Sequence, residues 1–231
     1  MLCGLLCSAL PGNDSVCSCI FPFIAVEYFR ELIKMTDFSL IEKNLLARGY
    51  TVRIFETKEQ AGAYLISEIK NTTVGIGGSQ TIDSLDIFDA LSKDNTVYWH
   101  WKQDAGARKK AAFAAVYLTS VNGASETGEL VNIDGAGNRV AASVFGHEKV
   151  YFVFGRNKIE PTLEKAADRA RNIAAPKNAA RLCKNTPCAR SESGCFDCKS
   201  PERICRALCV HFGPTMGMKA EAVIIDEDLG M

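Results

Sequence analysis

From Ser39 onward the sequence alternates short β-branched or apolar runs with longer amphipathic ones, and that alternation leaves few folds open. The pattern predicts a helix over Ser39–Arg48 stopping at Gly49, a strand over Thr51–Phe55 and a helix over Lys58–Lys70. A strand over Thr72–Ile76, a helix over Ser79–Lys93, a strand over Thr96–Trp99, a helix over Ala105–Ala114 and a strand over Val116–Ser120 follow. After a Gly/Asn-rich section come a strand over Lys149–Phe154, a helix over Pro161–Ala174 and a last strand over Ala220–Ile225. Strands that take turns with helices in this way build an α/β fold, with a mostly parallel sheet covered by helices on both faces. With 231 residues, 47% of them apolar, the chain is long enough to bury a substantial core.

Charge narrows the functions open to such a fold. Basic and acidic side chains number 27 each, which argues against a nucleic-acid surface or a polybasic membrane patch. The longest apolar stretch, Val16–Val26, is too short to span a bilayer. No basic residue precedes Arg30, so the start lacks the charged region of a signal peptide, and the sequence reads as cytoplasmic. Residues 1–34 lack helical periodicity and break at Pro11 and Pro22, whereas Met35-Thr-Asp-Phe-Ser opens a clean capped pattern. We read residues 1–34 as an extension upstream of a natural start at Met35, and residues 35–231 as one domain. A second metal site on Cys3, Cys7, Cys17 and Cys19 is the rival reading of that extension.

In doubly covered sheets, ligands bind in the loops that leave the carboxyl ends of the strands. Two such loops stand out. In Val74-Gly75-Ile76-Gly77-Gly78-Ser79-Gln80-Thr81, the glycines let backbone N–H groups approach an anion, and Ser79 and Thr81 either bind the same anion or cap the helix. It is neither a Walker loop nor a dinucleotide fingerprint. A tight strand–helix turn with a serine cap is the plainer reading. The second loop, Ser120 to Arg139, carries turn signals at Asp134-Gly135 and Gly137-Asn138 that suit a β-hairpin. It also offers Asn122, Glu126, Asn138 and Arg139, a mixture suited to a small acidic substrate that Arg139 would clamp through two parallel hydrogen bonds. Glu126 is the candidate catalytic acid or base.

The ten cysteines fall into two groups, four within the first nineteen residues and six from Cys183 to Cys209, with none in the 163 residues between. A disulfide framework would spread across the fold, so clustering favours a local metal site. Cys188, Cys195, Cys198 and Cys205 give the spacing C-x6-C-x2-C-x6-C, and the C-x2-C pair converges readily on one metal. From Pro176 to Val210 there are seven Lys or Arg against three acids, which favours thiolate over thiol. Free buried cysteines are the alternative. Structural zinc usually shows two C-x2-C pairs, so an iron–sulfur cluster is favoured over zinc, with Cys183, Cys209 and His211 as spare ligands.

At these motifs the chain resembles the LUD-domain family of lactate utilisation proteins, from about residue 40 to the end. The similar segments are Gly75-x-Gly-Gly-Ser79, Leu118-Thr-Ser-x-Asn122, Glu126-x-Gly-Glu-Leu, Asn132-x-Asp-Gly-x-Gly-Asn-Arg-Val-Ala-Ala142, Gly155-x-Asn157-Lys158-Ile and Ala174-Ala-Pro-x-Asn-Ala179. Thr186-Pro-Cys188, Cys195-x-Asp-Cys198 and Ser200-Pro-x-Arg-Ile-Cys205 match its cysteine-bearing branch. The resemblance implies a fold of the type seen in sugar-phosphate isomerases and CoA transferases, with the glycine loop holding an acidic ligand. It also implies a part in oxidising L-lactate to pyruvate beside iron–sulfur partner proteins. Ala115 stands where the family usually has an aspartate, and Gly123 where it has an alanine. Two other functions fit the residues: a transferase or isomerase using Glu126 on an acyl or sugar-phosphate substrate, and a non-catalytic module with a structural zinc.

Overall fold

Six strands run parallel in one sheet, in the spatial order β1 (Thr51–Phe55), β10 (Lys219–Ile225), β7 (Lys149–Gly155), β4 (Val116–Thr119), β2 (Thr73–Ile76) and β3 (Thr96–Tyr98). This is a computed structural model, and it describes residues 36–191 and 194–231. The reading of residues 1–34, with Cys3, Cys7, Cys17 and Cys19, lies outside them.

Alternation along the strands divides the core in two. Val150, Phe152 and Phe154 of β7 face one side and pack with Ile41 and Leu45 of α1 (Ser39–Ala47). Tyr151 and Val153 face the other, with Leu65 of α2 (Lys58–Glu68), Ile82 of α3 (Gln80–Ser84) and Leu91 of α4 (Phe88–Asp94). A strand buried on both faces must be apolar throughout, which is why β7 reads as a continuous run. The α/β architecture with both faces covered is therefore present. Among the described residues no helix is long and apolar enough to cross a membrane.

Three local expectations change. The helix expected over Ser79–Lys93 breaks into α3 and α4, with Asp86 between them in the left-handed region at φ 51°. Leu85 and Ile87 are both buried, and residues two apart cannot share one helix face, so the chain turns between them. A hairpin does form, from β5 (Gly123–Ser125) and β6 (Leu130–Asp134), but its turn lies at Glu126–Gly128. The Asp134–Gly137 turn leads instead into α6 (Asn138–Val144). With β8 (Ile159–Glu160) and β9 (Ala207–His211), this hairpin makes a second, mixed sheet of four strands. Finally, the helix expected over Pro161–Ala174 begins after the Thr162 cap as α7 (Leu163–Arg169). It passes through a π turn at 170–174 into α8 (Ala175–Arg181).

Candidate functional site

The loops leaving β2, β3, β4 and β10 meet the β6–α6 turn and α8 around a cleft of ≈ 660 Å³. Its place at the carboxyl ends of parallel strands is where such sheets bind ligands. Gly78, Ser79, Thr81, Asn122, Asn138 and Arg139 all line it, so six of the eight residues expected to bind ligand are brought together.

Local bonding shows what each can still do. Ser79 caps α3, its hydroxyl oxygen accepting from the Ile82 N–H at 3.2 Å. Arg139 is the central cation. Its Nη2 donates to the Ile133 carbonyl at 2.7 Å and to Asn122 Oδ1 at 3.3 Å, and its Nε lies 3.5 Å from Asp134 Oδ2. Asp134 also accepts from the backbone N–H groups of Ala136, Gly137 and Arg139, so it fixes the turn and the start of α6 as well as the arginine. Beside them the Tyr117 phenol is pushed up to about 12, by burial first.

Three expected residues stand elsewhere. Gly75 and Gly77 do not line the cleft. A Cβ on Gly75 would lie 2.4 Å from the Ala111 carbonyl, so this glycine lets β2 pack closely against α5 (Ala107–Ala111). The Gly77 N–H already donates to the Leu118 carbonyl, and a Cβ there would strike the Arg139 stem and the Tyr117 hydroxyl. Glu126 sits at the hairpin tip outside the cleft; its N–H donates to Glu160 O and its own carbonyl accepts from Asn44 Nδ2. The neighbouring Glu129, not Glu126, is the buried carboxylate, and it is bound by Ser125, Thr127 and Arg48.

Charge gives the cleft its character. Arg108, Arg139, Arg181, Lys184 and Arg203 line it against two acidic side chains, Asp134 and Glu202. Arg181 is held over the Trp101 ring at 5.1 Å from its centroid. An excess of cations in a concave, partly desolvated site selects anions.

A second, smaller cavity is lined by Cys188, Cys195, Cys198 and Cys205 together with Arg171 and Arg203. All four thiols are free and partly buried. The Asp197 N–H donates to Cys195 Sγ at 3.3 Å, and Thr186 Oγ1 lies 3.4 Å from Cys188 Sγ. Among the described residues no group of three or more His, Cys, Asp or Glu is near enough to hold a metal ion. Cys183 is exposed, while Cys209 and His211 point to each other in β9. Ala175, Arg203 and Ile204 line both this cavity and the cleft.

The LUD domain family model matches residues 39–224. The chain belongs to the LUD domain family. A solved structure, a DUF162 family protein from Deinococcus radiodurans, is similar with 13% sequence identity and a TM-score of 0.46, covering 80% of this chain and 94% of that one. No curated protein matches the chain.

Both departures from the usual LUD pattern have a place in the fold. Ala115 precedes β4, at the opposite end of that strand from the cleft, where its N–H donates to Thr73 Oγ1 at 2.8 Å. Gly123 lies against α7, where a Cβ would come within 2.4 Å of the Ala166 carbonyl. Sequence reasoning missed several residues of the LUD cleft: Arg108, Arg181 and Gly230 line it, and Lys158 and Arg169 lie behind its wall. The Gly155-x-Asn157-Lys158 motif was the one signal that pointed there.

Proposed function

We propose that this LUD domain binds a small carboxylate of the 2-hydroxy acid class, such as lactate, and works within a system that oxidises L-lactate to pyruvate. One observation carries the reading: a cationic cleft and a four-cysteine cavity share a wall made by Ala175, Arg203 and Ile204. The family supports the lactate-utilisation setting.

In this reading Arg139 orients the ligand carboxylate. Asp134 and Asn122 hold the guanidinium in place, so little side-chain entropy is lost on binding. Cys188, Cys195, Cys198 and Cys205 would hold an iron–sulfur cluster, with Arg171 and Arg203 balancing the thiolate charge. A bound cluster would supply single-electron chemistry toward partner proteins of the same kind. Arg203 faces both sites and couples the charge of one to that of the other. The transferase reading loses its nucleophile, because Glu126 lies outside the cleft.

Calorimetry with L-lactate and pyruvate tests the ligand. Arg139→Lys keeps the charge but loses the planar fork, and affinity is expected to fall by about 1–3 kcal/mol. Unchanged affinity would assign Arg139 to structure. Protein purified without oxygen is expected to be brown and to contain iron with acid-labile sulfide, and Cys195→Ser or Cys198→Ser to be colourless. Stoichiometric zinc with no labile sulfide would make the segment a structural clip and end the redox role.

A further inference from the structure

Lys158 ends a 3-10 turn after β7 with only 3% of its surface exposed. Its Nζ donates to Thr81 Oγ1 at 2.8 Å and to Ser120 Oγ at 2.9 Å. Both partners are neutral. Among the described residues no carboxylate lies within ion-pair distance of it. The charged groups that face it are Arg169 from α7 and Arg139 from α6, and both are positive. Arg169 lies 3.9 Å from Glu160 and donates to Asn157 O at 2.8 Å and to Met231 O at 3.1 Å, and Arg139 has Asp134.

Other buried charges in this fold are matched. Glu221 receives Lys149 at 2.7 Å and the Tyr64 hydroxyl at 2.5 Å, and Glu129 receives Arg48. An ammonium buried without an anion is costly and gives up its proton instead. Accordingly, burial first and the two guanidiniums second hold the Lys158 amine well below the ordinary lysine range.

This amine lies directly behind the cleft wall. Thr81, its hydroxyl partner, lines the cleft, and so does Gly230. A Cβ on Gly230 would come 2.6 Å from Thr81 Oγ1 and 3.2 Å from Nζ, so only a glycine fits over the lysine. Asn122 ties the neighbouring cations together: its carbonyl accepts from Arg169 Nη1 at 2.6 Å and its Oδ1 from Arg139 Nη2.

We propose that Thr81 and Arg139 on the cleft wall, with Lys158 and Arg169 directly behind it, form a carboxylate subsite, and that the ligand's carboxylate is the counter-charge this lysine lacks. The inference rests on the reading of the cleft as a carboxylate site and adds a proton to it. The ligand enters as an anion, and one proton passes from the solvent to Nζ. Binding is therefore coupled to protonation, and the ion pair exists only in the complex.

The test is calorimetry on the full chain near neutral pH, with L-lactate, pyruvate, acetate and inorganic phosphate, each in two buffers of different ionisation enthalpy. The expected result is uptake of about one proton per bound carboxylate. Lys158→Met should bind at least about tenfold more weakly and take up no proton, with a raised thermal midpoint because a desolvated amine has been removed. Lys158→Arg, charged at all times, should bind with no proton uptake. Carboxylate binding to the parent without proton exchange overturns the subsite and leaves the cleft reading standing. Phosphate binding with the carboxylates silent overturns the carboxylate class for both. Failure of every anion to bind overturns both outright.

Discussion

In the parallel sheet Val150, Phe152, Val153, Ala222, Val223 and Ile224 are almost wholly shielded from solvent, and their backbones are fixed by a continuous ladder. Between Gly194 and Arg206 the chain has no helix or strand. Arg203 shapes that stretch instead, donating to Cys205 O at 2.9 Å, to Cys198 O at 2.8 Å and to Asp197 Oδ1 at 3.2 Å. Arg206 adds bonds to Arg203 O and Pro201 O. One region draws its shape from buried apolar area, the other from partly solvated hydrogen bonds that are individually worth much less. The teaching is a division of labour. The sheet sets where the strand ends point, while the cysteine segment is shaped by hydrogen bonds from Arg203 and Arg206.

The comparison breaks most sharply at Phe152. This ring is buried and stands edge-on to both Tyr50 and His211, so Phe152→Ala should lower stability by about 3–5 kcal/mol in urea unfolding. A loss of under about 1 kcal/mol would mean that the sheet core is not the main store of stability.

A smaller effect is expected at His211, on β9 where the two regions meet. Burial lowers its imidazole from 6.5 to about 4. The unfolded chain takes up this proton near pH 6.5, whereas the folded chain resists until about 4. Stability is therefore complete above 6.5 and falls as the pH drops towards 4, by on the order of 3 kcal/mol for this group. Urea midpoints across that window measure the slope, and His211→Gln should flatten it. An identical slope in the variant would assign the loss to other groups.

The mildest change sharpens the contrast from the other side. Arg203→Lys cannot reach three acceptors at once, so the thiols of Cys195, Cys198 and Cys205 should react faster with a thiol reagent, while the midpoint of global unfolding stays nearly fixed. Equal shifts in both would show that the segment unfolds with the sheet.

The parallel sheet was legible because its strands bury both faces and so announce themselves as apolar runs. Lys149–Phe154 and Ala220–Ile225 differ from β7 and β10 only at their ends. The second sheet was not. β5 is three residues long and contains Gly123, and β9 hides among cysteines and a histidine that look like ligands. Gly78, Ser79, Thr81, Asn122, Asn138 and Arg139 were legible as neighbours around one cleft because loops at strand ends are rich in turn and polar residues. Glu126 was misplaced because a hairpin turn moves by a few residues without changing its composition. Lys158 stood in the sequence only within the Gly155-x-Asn157-Lys158 motif, with no local sign that its side chain is buried; its amine is held by Thr81 and Ser120, which lie far away in sequence.

The strand order carries a consequence for how the molecule is made. β1 pairs with β10 and with no other strand among the described residues. On the ribosome, β1 emerges early and must wait for residues 219–225 before it has an edge to join. Until then the apolar faces of β1 and α1 are left without the sheet they are shaped to cover. A chain cut before residue 219 would thus lose β1 from the sheet along with β10.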